Sequence, residues 1–444
     1  MLTAFGGGAW TAQQAGASTQ AESPYDLLDQ MARVLVLIEN EYVDPVDRTR
    51  LIEGSIKGMV AELDPHSSYL PAADYAIFQS DTKGSFGGIG VEVDFSGDAV
   101  VVIAPIEGSP AHRAGIRSGD RIIAIDNVSI RGKSPDALIR QMRGEPGTEV
   151  LLTVRREKVD KLKYFKLKRE VIKVSSIRVK LLKEDVGYIR IKQFQEGTHT
   201  ELLEAVAELR EQAKGDLTGV LLDMRNNPGG LVDEAARVAD EFLPGGAIYT
   251  TRHRGKIVSE MRAGPKGVLR RGPAVVLVNE YSASAAELVA GALQDHHRAP
   301  LVGTRTFGNG SVQTIVDLPG GAGLRLTTMR YYTPKGRAIQ AQGVMPSVTI
   351  KAAYAEDTSF GVLREADLER HLPAEKAQQE EDSADKKPDA EDSRSIPSTD
   401  APGADDDATH LGVARRIPFD PAEGPDFQLS VAYQIVTGVI APPE

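Results

Sequence analysis

Residues 274–296 read AVVLVNEYSASAAELVAGALQDH. An unbroken apolar, β-favouring run reaches Asn279, small residues follow, and from Ala285 the pattern turns helical. A run of this kind suits a strand buried on both faces, with the helix packed back on it. The same alternation repeats upstream. GVLLDMRNNPGG (219–230) is an apolar strand entering a Gly-rich turn, and VDEAARVADEFL (232–243) is a helix. VGYIRIKQF (186–194) is a strand and HTELLEAVAELREQA (199–213) a helix. Downstream, APLVGT (299–304) and LRLTTMRYYTP (324–334) add strands. Strand–helix alternation predicts a mainly parallel α/β core, which we bound at 157–352, its first residues being basic strands and a connector.

The flanks read differently. Residues 84–156 form a β-rich unit of short strands (GGIGVEV, AVVVIAPI, TEVLLTVRR). Within it SPAHRAGI is a short helix, DRIIAIDNVSI a hairpin turning at Asp126-Asn127, and DALIRQMRG a helix closed by Gly144. Residues 25–83 begin with helices. Leu27, Met31, Val34, Leu35 and Ile38 recur at helical spacing until Asp44-Pro45, and a second amphipathic stretch, Arg50 to Leu63, ends at Asp64-Pro65. The predicted class is therefore α/β within an α+β multidomain chain.

Residues 1–24 carry no charge before Glu22 and read either as a disordered leader or as the tail of a truncated signal peptide. Residues 374–413 are rich in Ala, Asp, Glu, Ser and Pro, and read as a solvated, disordered acidic segment. The closing stretch, 414–444, contains a helix over DFQLSVAYQIVTGV whose apolar side (Phe427, Val431 and Ile435, with Leu429 and Val436 alongside) predicts docking on the core.

Composition narrows the function classes. The 444 residues include no cysteine, which excludes disulfide frameworks, thiolate metal sites and cysteine nucleophiles. No apolar run reaches 18 residues, so no transmembrane helix is expected. The net charge is −11, of which −8 lies within 374–408, and such a balance speaks against binding nucleic acid by bulk charge.

Three features could carry chemistry. Phe86-Gly87-Gly88-Ile89-Gly90 precedes a β-run, and glycines there let backbone N–H groups turn toward an anion such as a peptide's terminal carboxylate. The alternative is an ordinary Gly-rich turn. Asp223 to Gly230 lies at the C-terminal end of a buried strand, where open parallel sheets bind ligands. Its two glycines could present N–H groups to a developing oxyanion or simply make a tight turn. Finally, Ser282 and Ser284 sit between a strand and a helix. Ser282 reads as the helix cap, and Ser284 as a residue held where the helix dipole favours a developing anion.

Together these stretches resemble the carboxy-terminal processing peptidases, or tail-specific proteases, over about residues 25–350. The motifs are LIEGSIKGMVAELDPHSSYL (51–70), a PDZ-like unit around SPAHRAGIRSGDRIIAIDNVSI (109–130), VGYIRIKQF, DMRNNPGG, VNEYSASAAELVAGAL, TFGNGSVQT (306–314) and YYTPKGRAIQ (331–340). The resemblance implies a PDZ domain inserted beside an α/β core of crotonase-like type. It implies a serine nucleophile activated by lysine, with Ser284 as nucleophile. Gly229, Gly230 and Ala285 would supply the oxyanion N–H groups, and Gln313 would orient the lysine. It further implies Phe86 to Val91 as the edge that binds protein C-terminal tails, and Arg143 as a link between that binding and activity. No cofactor is implied. Periplasmic or extracytoplasmic location, an adaptor protein and homo-oligomers through the terminal helices are the remaining implications.

One position departs from the pattern. Where the family has its general-base lysine, this chain has Asn309. Asparagine has no titratable group and cannot take the serine proton. The substitution reads as an inactivating change, as a natural pseudopeptidase, or as a site that recruits another base. Arg305 stays protonated and is a poor base. Lys335 qualifies only if the fold brings it to the serine. His296 and His297 lie at the far end of the Ser284 helix, about 18 Å away at 1.5 Å per residue, too far for a triad. His66, in a helix-ending turn, reads as structural, and no set of residues converges as metal ligands.

Overall fold

The computed structural model describes residues 24–96, 99–157, 159, 161–350, 363–374 and 426–441. The expected leader (except Pro24), the expected acidic segment after Ala374, and the ends of the last expected segment lie outside these residues. The chain divides into two compact units, Met1–Met59 and Val60–Glu444. The first contains the helix Pro24–Glu41 and most of the helix Arg48–Ala61. Leu27, Met31 and Val34 stay exposed on the first of these helices. The expected helical region 25–83 is thus divided, its last helix, Ala72–Thr82, belonging to the larger unit.

A six-stranded sheet organises the larger unit. Ile177–Leu181 is antiparallel to Val186–Ile191, and Gly219–Asp223, Ala274–Val278, Leu301–Gly303 and Val348–Thr349 continue in parallel. Alternating side chains point to opposite faces of each strand. Ile189, Leu222, Val276 and Val278 meet the helices Thr198–Ala213, Val232–Phe242 and Ala285–Asp295 on one face. Val186, Tyr188, Leu221, Val275 and Leu277 face the other way, onto the helix Phe427–Val436. Both faces are covered, which explains why these strands are apolar throughout.

The closing helix therefore docks as expected, burying Leu429, Val431, Ile435 and Val436, whereas Phe427 stays exposed. Its N-cap, Asp426, accepts from the Leu429 amide and pairs with Arg225 at 2.7 Å. Arg225 also holds the buried Asp223 carboxylate. One arginine thus joins the closing helix to the strand end that begins the DMRNNPGG loop.

Gly219–Asp223, Ala274–Val278 and Leu301–Gly303 run the same way, so the loops after them converge at one edge of the sheet. Those loops carry Gly229, Ser284 and Asn309. A second sheet closes over this edge: Ser68–Leu70, Gly323–Tyr332, Ala247–His253 and Lys256–Arg262, with Ser311–Asp317 paired to Gly323–Tyr332. Its 247–262 hairpin and its 311–317 strand are additions to the elements read from sequence.

The PDZ unit has its own core, around Ile89, Val102, Ile122, Leu138, Leu152 and Leu167. The expected hairpin is present: Arg121–Ile125 pairs with Val128–Ser129, and Asp126 and Asn127 both adopt positive φ, 48° and 64°. That is the two-residue turn whose twist matches a hairpin. Val91–Ser96 is one end strand of the sheet and Lys163–Lys168 the other.

Candidate active site

Ser284 stands between the strand Ala274–Val278 and the helix Ala285–Asp295, as the N-cap of that helix, with φ 54° and ψ −117°. A non-glycine residue held at positive φ is strained, and such strain persists where neighbours enforce it. The enforcing group here is Glu287, one turn into the helix and fully buried. Its carboxylate accepts from the Ser284 amide at 2.8 Å. It also accepts from the amides of Gly308 and Asn309 at 2.7 and 2.9 Å and from the Thr306 hydroxyl at 2.5 Å. Burial pushes this carboxyl up to about 7, against the pull of those four donors. One side chain therefore fixes the serine turn and the 306–309 loop together.

Ser282 is not the helix cap expected from sequence. Its hydroxyl donates to the Met224 carbonyl at 2.8 Å and accepts from the Asn279 amide, tying two strand-end loops. Asn226 and Asn279 exchange hydrogen bonds across the same gap. These ties bring the glycine turn against the serine. Gly229 and Gly230 have φ of 101° and 128°. A Cβ on Gly229 would lie 2.8 Å from Ser284 Cβ and 3.0 Å from the Ala285 nitrogen, and one on Gly230 would strike the Phe194 carbonyl at 2.0 Å. Only glycine fits at either position. The Gly229 amide is engaged by Asn227 Oδ1 at 2.9 Å.

An open cleft of about 790 Å³ is lined by His66, Gly229, Gly230, Ser284, Asn309 and Tyr331, among others. Its volume accommodates several residues of an extended chain. Ser284 Oγ lies 3.1 Å from the Tyr331 hydroxyl. Burial pushes that phenol up to about 12, so it keeps its proton and is no base. Asn309 Oδ1 accepts from the Ser311 amide at 3.1 Å and the Ser311 hydroxyl at 2.6 Å. Gln313 donates to that same hydroxyl at 2.8 Å, so it reaches Asn309 through Ser311.

The structure removes the other base named from sequence. The Lys335 amide donates to Asp295 Oδ2 at 2.9 Å and its Nζ lies 3.0 Å from His297 Nε2, at the far end of the Ser284 helix. His296 bonds the Ala247 carbonyl there. His66, read as structural, instead lines the cleft, with Nε2 2.7 Å from Glu365. Sequence reasoning missed His66, Glu287, Tyr331 and Glu365 as parts of the site. For Glu287 a signal existed, since serine followed three residues later by glutamate is the capping-box pattern. Among the described residues no cluster of His, Asp and Glu could hold a metal ion.

In the PDZ unit, Ser85–Gly88, which holds Phe86, Gly87 and Gly88, is already paired with Glu170–Lys173, and Gly87 accepts from the Gly144 amide at 3.0 Å. Ile89 is buried and Gly90 has φ 74°. The end strand that follows these glycines begins at Val91, the last residue of the expected edge. Arg143 stacks on Phe86, 4.4 Å from the ring centroid, and pairs with Asp81 at 2.7 Å. Asp81 closes the helix Ala72–Thr82 and lines the cleft. Arg143 thus touches both the glycine strand and an element of the cleft wall.

Comparison with known proteins agrees with this architecture. Residues 185–350 match Peptidase family S41, residues 101–156 a PDZ domain, and residues 8–73 the N-terminal domain of the activating protease CtpB. The carboxy-terminal-processing protease of Bartonella bacilliformis is 38% identical over 427 residues, covering 94% of this chain and 90% of that protein. A probable CtpA-like serine protease of Staphylococcus aureus is 39% identical over 327 residues, covering 73% of this chain and 64% of that protein. Among solved structures, the photosystem II D1 C-terminal processing protease is 29% identical, with a TM-score of 0.46 over 74% of this chain and 87% of that one. This chain belongs to the carboxy-terminal processing peptidases, serine-type peptidases that carry a PDZ domain.

Proposed function

We propose that this chain is an endopeptidase that takes the C-terminal tails of other proteins on its PDZ sheet and cuts them by acyl transfer to Ser284. The observation that carries the reading is the strained Ser284 turn pressed against Gly229-Gly230 at the wall of an open cleft. The Gly230 and Ala285 amides are the oxyanion donors in this reading. A tail adds as a strand to Val91–Ser96, its carboxylate toward the glycines before it. No helix among the described residues is long and apolar enough to cross a membrane. Location outside the cytoplasm and a homo-oligomeric state extend the family reading.

The purified chain is expected to cleave unfolded casein, and Ser284→Ala to abolish that cleavage. Equal fragment yields from both chains would overturn the assignment of the nucleophile. A second reading, a tail-binding scaffold without turnover, is favoured by one observation: Asn309 offers no base, and Ser284 faces a phenol. Tail peptide bound by both chains, with no casein cleaved by either, would select it.

Arg143 gives a separate test of the PDZ unit. Arg143→Ala removes the stacking on Phe86 and the pair with Asp81. The expected result is weaker binding of a tail peptide and a several-fold loss of tail-stimulated cleavage. Unchanged binding and unchanged turnover would show that the PDZ unit and the cleft act independently.

A further inference from the structure

The hydrogen bonds around Asn309 favour one tautomer of His66. Asn309 Oδ1 accepts from the Ser311 amide, an obligatory donor, so Nδ2 is the atom that faces His66. Nδ2 is itself a donor and lies 3.4 Å from His66 Nδ1. A donor facing Nδ1 favours the tautomer in which Nδ1 carries the lone pair. The proton sits on Nε2, which donates to Glu365 Oε2 at 2.7 Å. Glu365 is fully buried, and its other oxygen accepts from Gln340 Nε2 at 2.7 Å. Gln340 is held in turn, because its Oε1 accepts from the Gly310 amide.

The backbone of His66 is clamped as well. Its amide donates to Asp64 Oδ1 at 2.8 Å, and its carbonyl accepts from Arg325 Nε at 2.8 Å. A buried carboxylate thus holds one imidazole N–H while the other nitrogen keeps a lone pair at the cleft that also contains Ser284. A serine hydrolase's triad orients its histidine base by the same logic, with the two ring nitrogens exchanged. The 3.4 Å contact that covers Nδ1 is a weak hydrogen bond, so a small rotation of Asn309 frees it.

We propose that His66, oriented by Glu365, takes the Ser284 proton in this chain, replacing the base lost at Asn309. The inference rests on the reading of Ser284 as the nucleophile. In this scheme one solvent molecule bridges the serine and the imidazole across the cleft they both line. Ser284 Oγ bonds to the scissile carbonyl carbon while its proton passes, through that solvent molecule, to His66 Nδ1. As the C–N bond breaks, the same proton goes to the leaving amine. A second water then adds to the acyl ester and gives a proton to Nδ1, which returns it to Ser284 Oγ as the ester bond breaks. His66 is the catalytic residue in this scheme, and Glu365 a positioning residue.

Casein turnover by the full chain tests the scheme. His66→Gln is expected to lower kcat at least about 100-fold with KM nearly unchanged, the signature of a lost base rather than lost binding. Glu365→Gln is expected to lower kcat in the same way, by a smaller factor. Adding Asn309→Lys to His66→Gln is expected to restore turnover, which a merely misfolded chain could not do. Turnover of His66→Gln equal to the parent, or no restoration in the double variant, overturns the inference. So does a parent as inert as Ser284→Ala. In that case cleavage by Asn309→Lys leaves the peptidase reading intact, and silence there removes it too.

Discussion

Replacing Asn309 with lysine is expected to raise kcat/KM for unfolded casein by roughly 10²- to 10⁴-fold, the range a positioned general base contributes. That full range is expected of a parent without a base; where His66 already accepts the proton, the gain falls below it. The site is prepared for the longer side chain. Position 309 is buried and follows a loop pinned by Glu287, and its outer atoms point into the cleft wall shared with Ser284. Ser311 and Gln313 form a polar chain beside it. In the lysine variant the Gln313 carbonyl is the acceptor suited to hold the ammonium.

Two opposing forces set the acidity of that new ammonium. Burial lowers it by disfavouring the charged form, whereas the nearby Glu287 carboxylate raises it. Glu287 is itself pushed up to about 7, so it is only partly ionised near neutrality and its hold is weakened. The restored rate should therefore climb with pH as the lysine loses its proton. A steady-state pH–rate profile of the variant checks both the gain and the slope. A variant no faster than the parent would show that lysine at 309 adds no base, and a rate that falls with pH would sink the lysine as base.

The carboxylate of Glu365 marks where sequence reading stopped. Ser284, Gly229 and Gly230 were legible because each lies in a strand–turn–helix junction whose pattern is local. Asp126-Asn127 was legible for the same reason. His66 and Glu365 lie 299 residues apart, and nothing in either neighbourhood announces the other. Their meeting depends on the sheet containing Ser68–Leu70 closing over the loop at 306–309. The topology equally disposes of Lys335, since a lysine close in sequence to Tyr331 ends on the opposite end of the Ser284 helix. The peptide edge shows a subtler limit. The resemblance implies Phe86 to Val91 as the peptide edge, but Phe86 to Gly88 are taken up where Glu170–Lys173 returns to pair with them.

Glu287→Ala is expected to cost several kcal/mol of stability and to abolish cleavage. The substitution strands the amides of Ser284, Gly308 and Asn309 in a buried space, at about 1–3 kcal/mol for each unsatisfied group. It also frees Ser284 to leave its strained φ, so the serine turn and the 306–309 loop lose their common anchor. A fall in Tm on the order of 10 °C follows from such a loss in a unit of this size. The pH dependence has a defined sign. Burial raises the folded-state carboxyl from 4.5 to about 7, so between those values the native chain holds a proton the unfolded chain has released. The contribution of Glu287 to stability is therefore fully present below about 4.5 and declines as pH rises toward 7. The parent should exceed Glu287→Ala in Tm by more at pH 5 than at pH 8. A gap that widens toward pH 8 would mean that the four donors outweigh burial and that Glu287 is already a carboxylate at pH 5.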